Sequence, residues 1–304
     1  MGAAFIQANT NGRLHDAREA SLPPLNRGFL YGDAIYEVWR TYQNVLFAWD
    51  EHWRRLENSA RALHIGLPME RDHMFEEIRR TAQAYRAATN HTGELYVRLQ
   101  ITRGAGAIGL DTALADGPDY VILVQPNKDI IEVVRAQGYR LSLETTLRRN
   151  ASATLNPAWK TGNYLNNVLC LHEARSRGAD DVVMVNLAGE ITEASTSNLG
   201  FIRGRDLYTP PLEAGILGGI TRELILTKIA AQAGLTVREQ PMAPDDLGQM
   251  EECFIMSTTR DVAPVGYIDD HAYRVSPDTQ SMKLKAAFAD YVADYIAANQ
   301  QQVI

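Results

Sequence analysis

Two periodicities of apolar and polar residues predict the helices and strands of the first part of the chain. Apolar residues recur at helical spacing over residues 51–65, where Asp50 is a plausible N-cap, and again over residues 70–88. Apolar and polar residues alternate over Leu95–Thr102, which predicts a half-buried strand. Residues 35–42 are rich in β-branched and aromatic side chains, which favour a strand.

The rest of the chain adds further strands, helices and one turn signal. Strands are predicted at residues 120–124, 139–144, 181–186, 199–202 and 252–257. Helices are predicted at residues 163–177, 220–233 and 278–298. Asn11-Gly12 is the signature of a two-residue hairpin turn.

A change of character after residue 125 divides the chain into two domains. A Pro-Asn-Lys-Asp turn there runs into a short amphipathic piece, and we place the interdomain linker at residues 126–137. The domains are then residues 1–125 and 138–304, and a length of 304 residues agrees with two domains. Strands and helices are mixed in both halves without a uniform β–α–β alternation, which predicts an α+β fold.

Composition argues against several classes of protein. A formal net charge of -7 and a pI near 5.5 are untypical of nucleic-acid-binding proteins, which usually have a basic face. The first residues lack a basic region followed by an apolar core, and no apolar run reaches the ~18 residues of a membrane span. Cys170 and Cys253 lie in apolar runs and suggest buried thiols in a reducing compartment. We therefore expect a cytoplasmic protein that binds neither nucleic acid nor membrane.

Lys160 is the first candidate for chemistry. It lies among small and apolar residues, and a lysine in a partly dry pocket loses its charge readily and can form a Schiff base with an aldehyde. If a helix begins at Lys160, Tyr164 shares its face and could hydrogen-bond a pyridoxal ring oxygen. Glu193 could face a pyridine nitrogen and keep it protonated. Together these residues indicate a pyridoxal phosphate (PLP) site, although Lys160 alone is more simply explained as a surface lysine.

Four parts of the chain offer groups that could bind an anion. Gly218-Gly219-Ile220-Thr221 precedes a helix, whose first N–H groups suit a phosphate, and Ser257-Thr258-Thr259 ends a strand with hydroxyl groups. Arg55 could donate to a phosphate, and Arg98, in the middle of a strand, could bind a substrate carboxylate. Each group also has a simpler explanation. The glycine segment can be a plain loop, the strand end can be capped locally, and the two arginines can be exposed to solvent.

A glycine-rich segment at residues 104–109 matches the dinucleotide-binding pattern G-x-G-x-x-G and follows a predicted strand. The residues after it, 110–118, are too few for the helix that dinucleotide binding requires. We therefore favour a glycine-rich active-site loop over an NAD site. The seven histidines are not spaced as metal ligands, and no G-x-S-x-G nucleophile motif is present, so we predict no metal site.

The motifs follow one another in the order found in class IV aminotransferases, the fold type IV PLP enzymes. They are Arg27-Gly28-Phe29-Leu30-Tyr31-Gly32-Asp33, His52-x-x-Arg55-Leu56, Lys160 with Tyr164-Leu165-Asn166-Asn167, Glu193-Ala194-Ser195-x-Ser197-Asn198, Gly219-Ile220-Thr221-Arg222 and Ser257-Thr258-Thr259. Over nearly its whole length the chain resembles this family, which includes branched-chain aminotransferases, D-amino-acid aminotransferases and aminodeoxychorismate lyases. The resemblance implies a two-domain fold like that of D-amino-acid aminotransferases. Its N-terminal domain is small and α/β, and its larger C-terminal domain contains a mixed sheet or barrel.

The resemblance also implies a role for each matching residue. Lys160 is implied to be the Schiff-base lysine and proton shuttle, Glu193 the partner of the pyridine nitrogen, and Tyr164 the partner of the ring 3-hydroxyl. The implied phosphate-binding residues are Arg55, Ile220, Thr221 and Thr258. The implied substrate-binding residues are Tyr36, Tyr96, Arg98, Thr258 and Thr259.

The substrate expected from the resemblance is a branched-chain L-amino acid, with 2-oxoglutarate as the acceptor in a ping-pong reaction. Tyr96 and Arg98 match the substrate pocket of branched-chain enzymes, and Ile108 and Leu110 replace the arginine and histidine of D-amino-acid aminotransferases. Val38 instead matches the D-amino-acid group, so a D-amino-acid or (R)-amine transaminase is the alternative. An aminodeoxychorismate lyase, an NAD-dependent oxidoreductase and a non-catalytic binding protein are weaker alternatives. The resemblance further implies a homodimer or a larger homo-oligomer.

Overall fold

The structure is a computed structural model that describes residues 5–128 and 130–304, and the chain divides into two compact units. The N-terminal unit comprises Met1–Lys128, Trp159–Asn163 and Asp294–Ile304. The C-terminal unit comprises Asp129–Ala158 and Tyr164–Ala293. The predicted domain limits differ from this division, because residues 159–163 and 294–304 belong to the N-terminal unit. Residues 1–4 and Asp129, which fall within the predicted first domain and linker, lie outside the described residues.

An antiparallel sheet of six strands forms the N-terminal unit. In chain order the strands are β1 (Gln7–Thr10), β2 (Arg13–Asp16), β3 (Ala34–Tyr42), β4 (Val45–Leu46), β5 (Leu95–Thr102) and β6 (Asp119–Pro126). Their order across the sheet is β2–β1–β6–β5–β3–β4. The helices are α1 (Arg27–Tyr31), α2 (Trp49–Ala62) and α3 (Arg71–Thr89). Asn11 and Gly12 connect β1 to β2 with positive φ angles of 48° and 87°, as the predicted hairpin turn requires.

One face of this sheet carries the core, because apolar residues alternate along its strands. Leu95, Val97 and Leu99 of β5 are fully buried and belong to one core cluster with residues of α2 and α3. The residues between them, Tyr96 and Arg98, are half-buried and point to the opposite face. This alternation confirms the predicted half-buried strand.

Residues 159–163 add an extended segment to the edge of β3. The backbone N–H of Tyr36 donates to the carbonyl of Lys160 at 3.0 Å, and the backbone N–H of Gly162 donates to the carbonyl of Ala34 at 2.8 Å. The segment is therefore held by the N-terminal unit, although most of that unit lies far from it in the sequence.

A mixed sheet forms the C-terminal unit. In chain order its strands are β7 (Tyr139–Glu144), β8 (Asp181–Met184), β9 (Asn198–Arg203), β10 (Asp206–Thr209), β11 (Thr236–Glu239), β12 (Glu252–Ser257), β13 (Asp261–Ile268) and β14 (His271–Ala272). Their order across the sheet is β11–β10–β9–β12–β13–β7–β8, and β14 pairs with β13. The helices of this part of the chain are α4 (Glu132–Gln137), α5 (Leu165–Ser176), α6 (Ile220–Leu224) and α7 (Gln280–Ala298). Together the two sheets and their helices confirm the predicted α+β class.

The start of α5 corrects one prediction about the site. A helix was expected over residues 163–177, but α5 begins only at Leu165. The preceding residues are extended because they pair with β3, and an extended segment cannot also form the first helical turn. Lys160 and Tyr164 therefore do not share a helical face.

Two other predicted helices also differ from the structure. α2 begins at Trp49 rather than after Asp50, and its N-cap is Ala48, which has a φ of 55° and makes no side-chain capping bond. Trp49 is buried in the core, and packing rather than capping determines where this helix starts. The helix predicted over residues 220–233 consists of α6 followed by a π-helical segment, Ile225–Ile229.

Among the described residues, no helix is both long enough and apolar enough to cross a membrane. Nor does the described part of the chain group three or more His, Cys, Asp or Glu side chains in a way that could hold a metal ion.

Candidate active site

Lys160 is half-buried on the extended segment that pairs with β3. Its Nζ donates a hydrogen bond to the Tyr36 hydroxyl at 3.3 Å and lies 4.4 Å from the centre of the Tyr36 ring. The backbone N–H of Lys160 donates to Ser59 Oγ of α2 at 3.1 Å. Hydrogen bonds thus hold both the N–H and the carbonyl of the lysine backbone. Its amine contacts a phenol, which can both donate and accept a hydrogen bond.

Tyr36 and Arg98 lie together on the sheet face opposite the core. The Arg98 guanidinium stacks on the Tyr36 ring with 3.9 Å between Cζ and the ring centre, and its Nη2 donates to Gln100 Oε1 at 2.9 Å. A half-buried cation on an aromatic face keeps some donors for a further carboxylate, since a guanidinium has five N–H groups. The structure therefore brings Lys160, Tyr36 and Arg98 together, and Tyr96 lies on the same face of β5.

Arg55 of α2 is largely buried rather than solvated, with 13% of its side chain exposed. Its Nε and Nη2 donate to the two carboxylate oxygens of Glu37 at 2.7 and 2.8 Å. Glu37 is fully buried in β3 and also lies 2.7 Å from Nδ1 of the buried His52. An ionised carboxylate only accepts hydrogen bonds, so Nδ1 of His52 carries the proton in this pair.

The charges of this cluster balance within the N-terminal unit. Burial alone would raise the pKa of Glu37, but the charge of Arg55 and the contact with His52 outweigh burial and lower this pKa. Burial lowers the pKa of His52, so its imidazole is neutral near pH 7. Sequence reasoning did not identify Glu37, although a charged residue in the middle of an apolar strand signals that a partner is needed.

Glu193 is buried in the turn before β9 and accepts hydrogen bonds on both carboxylate oxygens. Arg149 Nη2 donates to Oε1 at 2.7 Å, while the backbone N–H of Leu217 and Nδ2 of Asn198 donate to Oε2 at 3.0 and 3.2 Å. Such a set of donors favours the ionised carboxylate. Arg149 was not predicted from the sequence, because it and its partner belong to separate segments with no shared local pattern.

Ile220 and Thr221 are buried in the first turn of α6, in the C-terminal unit. Gly219, which precedes them, lets the Asn198 side chain pack against the backbone, since a Cβ there would lie 2.1 Å from Asn198 Oδ1. Free N–H groups at a helix start, together with a threonine hydroxyl, suit an anion. The structure thus places these residues at a helix start, and their role in binding a phosphate stays a prediction.

Thr258 and Thr259 are half-buried in the turn that connects β12 to β13. The neighbouring Ser257 Oγ is buried without a hydrogen-bond partner among the described residues, and such a hydroxyl is rare enough to indicate a missing partner. Tyr164 is half-buried at the N-cap of α5. These residues and Glu193 all belong to the C-terminal unit, whereas Lys160 belongs to the N-terminal unit.

The glycine-rich loop after β5 lacks the helix that a dinucleotide site requires. Within the described residues it is followed by a single 3₁₀ turn, Thr112–Leu114. A Cβ at Gly104 would lie 1.7 Å from the carbonyl oxygen of Gly117, and one at Gly106 would lie 1.9 Å from that of Leu114. The glycines thus let two backbone segments meet, which argues against the NAD alternative.

The chain is similar to known proteins over most of its length. Residues 34–268 match the family model of amino-transferase class IV. A Methanocaldococcus jannaschii protein provisionally named a branched-chain-amino-acid aminotransferase is 33% identical, over 92% of this chain and 94% of its own. A D-alanine aminotransferase of Listeria monocytogenes is 30% identical, over 85% of this chain and 86% of its own. The crystal structure of the T.th. branched-chain amino acid aminotransferase with pyridoxamine 5′-phosphate has a TM-score of 0.83 and 25% identity, and covers 97% of this chain and 95% of its own.

The family model spans most of the chain, from the first residue of β3 to the last residue of β13. It therefore includes Lys160, Glu193 and Arg55, around which the two sets of contacts are built. The chain belongs to the class IV aminotransferases, and its cofactor is pyridoxal 5′-phosphate.

Proposed function

We propose that the protein transfers the amino group of branched-chain L-amino acids to 2-oxoglutarate. The observation that carries this proposal is the grouping of Lys160 and Arg98 on the Tyr36 ring, at 4.4 and 3.9 Å from its centre. An amine can move a proton, and a guanidinium can bind a substrate carboxylate. The M. jannaschii relative and the structure solved with pyridoxamine 5′-phosphate, both named as branched-chain enzymes, support the substrate class.

The residues present fit PLP by their chemistry. We assign its aldehyde to the Lys160 amine, its pyridine nitrogen to the Glu193 carboxylate and its ring hydroxyl to Tyr164. The residues assigned to its phosphate are Arg55, Ile220, Thr221 and Thr258. The buried Ser257 hydroxyl without a partner among the described residues supports the phosphate assignment.

The proposed mechanism uses the N-terminal unit for proton transfer. When bound, PLP withdraws electrons from the α-carbon of the substrate and makes its proton acidic. Lys160 Nζ takes this proton as a general base and later returns one as a general acid. The Tyr36 hydroxyl, 3.3 Å from Nζ, holds the amine in place and can exchange a proton with it. Arg98 binds the substrate carboxylate and orients the α-carbon, with Tyr96 and the hydroxyls of Thr258 and Thr259 completing the proposed substrate contacts.

Absorption spectra of the PLP-loaded protein test this proposal. Spectra are recorded before and after addition of L-leucine and, in a separate sample, of D-alanine. We expect L-leucine to reduce the visible band of the bound cofactor and to raise a band at shorter wavelength. Lys160→Ala is the control, and it should not show this change at a comparable rate. Turnover of that variant near the wild-type rate would exclude the proposed role of Lys160.

A D-amino-acid or (R)-amine transaminase is the second candidate. The identity of 30% with a D-alanine aminotransferase supports it, as does Val38, which lies opposite Arg98 in the sheet. Ile108 and Leu110 speak against it, because neither side chain can bind a carboxylate. A spectral change with D-alanine and none with L-leucine would favour this candidate over the first.

We further propose that the protein is a homodimer. Phe29, Ile108 and Leu110 are 79%, 75% and 80% exposed, and large exposed apolar side chains mark interaction sites. Arg27 links the two segments that carry them, because its guanidinium donates to the carbonyls of Gly109 and Leu110 at 2.8 and 3.2 Å. Light scattering should give twice the chain mass of 33.8 kDa, and Ile108→Asp should lower this mass. A monomeric wild-type protein would contradict the proposal.

We also propose a cytoplasmic location. Cys170 and Cys253 are free and buried, and burial raises the pKa of both thiols. Cysteines kept as thiols suit a reducing compartment. Cell fractionation with an antibody against the protein would test the location.

A further inference from the structure

Arg149 is a buried cation beside Glu193 that the proposed mechanism does not use. Its Nη2 donates to Glu193 Oε1 at 2.7 Å, and its Nη1 donates to Asn167 Oδ1 at 3.1 Å. The backbone N–H of Arg149 donates to the carbonyl of Val185 at 2.8 Å, and Asn167 donates to the carbonyl of Ser195 at 2.8 Å. The arginine is therefore anchored through both its backbone and its side chain.

Two features indicate that Arg149 serves the carboxylate. Among the donors to the Glu193 carboxylate are Arg149, Asn198 and Leu217, and of these three Arg149 makes the shortest hydrogen bond. Arg149 Nε is buried without a hydrogen-bond partner among the described residues, so the contacts of its two Nη atoms, one of them to Glu193, orient the guanidinium. A charged donor at 2.7 Å contributes more to the ionised carboxylate than either neutral donor does.

We propose that Arg149 is a positioning residue that keeps Glu193 ionised and so leaves the shared proton on the pyridine nitrogen of PLP. This inference rests on the proposed role of Glu193. A hydrogen bond between a carboxylate and a pyridine can carry its proton on either atom, and the neighbouring charges decide which.

The sign of the effect follows from the distances. Arg149 touches the carboxylate and stabilises its negative charge at hydrogen-bond range. Arg149 also repels a protonated ring. However, the guanidinium and the ring each contact the carboxylate and lie farther from each other, so their repulsion is weaker than either attraction. The net effect favours a cationic ring, and a cationic ring withdraws electrons more strongly from the substrate.

The test measures the protonation of the ring directly and in the absence of substrate. The apoprotein is loaded with PLP labelled with nitrogen-15 in the ring, and the nitrogen chemical shift distinguishes a protonated from a neutral pyridine. The variants are Arg149→Gln, Arg149→Lys, Glu193→Gln and Arg177→Gln. Arg177→Gln is the matched control, since it also removes an arginine paired with a buried glutamate of the same unit, Glu144, at 3.1 Å. Thermal unfolding of each loaded variant reports its fold.

We expect a protonated nitrogen in the wild type and in Arg177→Gln. Arg149→Gln should shift the ratio of protonated to neutral nitrogen toward neutral by ~tenfold, which corresponds to one pKa unit. Arg149→Lys restores the charge and should recover much of the protonated form.

Three outcomes separate the possible errors. A neutral nitrogen in the wild type, or an unchanged nitrogen in Arg149→Gln, overturns the inference. If Glu193→Gln also leaves the nitrogen protonated, the assignment of Glu193 fails instead, and with it that part of the proposed function. If Arg149→Gln does not accumulate as folded protein, Arg149→Met removes the same charge and replaces it in the test. The wild-type measurement, in which a neutral nitrogen overturns the inference, does not depend on any variant.

Discussion

A Glu37→Gln variant removes one charge from the buried cluster of Glu37, Arg55 and His52 with little change in shape. Arg55, only 13% exposed, then loses its carboxylate partner, and His52 loses its charged acceptor. We expect the free energy of unfolding to fall by about 3–5 kcal/mol, the usual cost of removing one member of a buried ion pair.

The contacts in the cluster set this magnitude. Glu37 is fully buried and accepts hydrogen bonds at 2.7, 2.8 and 2.7 Å, two of them from the Arg55 guanidinium. Two unit charges 4 Å apart attract each other by ~4 kcal/mol at an effective dielectric constant of 20. Glutamine keeps the shape and part of the hydrogen bonding, so the loss should stay close to the electrostatic value.

The effect should depend on pH, because the pKa of Glu37 is lowered in the folded protein. Its contribution is fully present above the pKa of an unfolded glutamate, about 4.3, and is lost as the pH falls toward the lower folded value. The difference between wild type and variant should therefore be largest at neutral pH and should shrink in acid.

Urea unfolding of the apoprotein, followed by circular dichroism at neutral and acidic pH, measures both effects. Glu76→Gln is the matched control, because Glu76 pairs with Arg79 at 2.6 Å but is 60% exposed. Its loss should stay below about 1 kcal/mol. Arg55→Gln and the double variant complete a thermodynamic cycle that isolates the pair. If Glu37→Gln loses no more stability than Glu76→Gln, the reasoning about this cluster is refuted.

Three further results are expected. Gly219→Ala should lower the free energy of unfolding, measured in urea, by about 1–3 kcal/mol through overpacking, because its Cβ would lie 2.1 Å from Asn198 Oδ1. Gly218→Ala is the control, since the nearest atom to its Cβ would lie at 3.9 Å. Arg98→Gln should raise KM for amino acids more than it lowers kcat in steady-state assays, and an unchanged KM would argue against a carboxylate contact. Burial lowers the pKa of His52, so the free energy of unfolding should fall as the pH drops below about 6.5, where the unfolded histidine takes up a proton. Urea unfolding at several pH values measures this, and a His52→Gln variant with the same pH dependence would count against it.

Local patterns were sufficient where an element is defined by its own residues. Leu95–Thr102, Tyr139–Glu144 and Glu252–Ser257 have the predicted limits, because alternation or an apolar run marks each of them. The pairing of residues 159–163 with β3 was not predictable in this way. It depends on the edge of a strand far away in the sequence, and for that reason the predicted start of α5 was wrong.

The candidate site shows the same limit. The family motifs identified Lys160, Arg55 and Glu193, whose roles stay predictions, but not the buried charges that hold two of them. Glu37 and Arg149 belong to none of these motifs, and each meets its partner only in the folded chain. Buried charges need such partners, so a lone charge in an apolar segment was the one available signal, and it was present for Glu37.

The extended segment that carries Lys160 ties reactivity to strand register. Side chains alternate along such a segment, so a slip of one residue against β3 would turn the amine to the other side and present Trp159 or Thr161 instead. The same segment covers a strand edge on which another chain could otherwise add and start aggregation. A deletion within residues 159–163 would therefore displace the Lys160 amine and also expose the edge of β3.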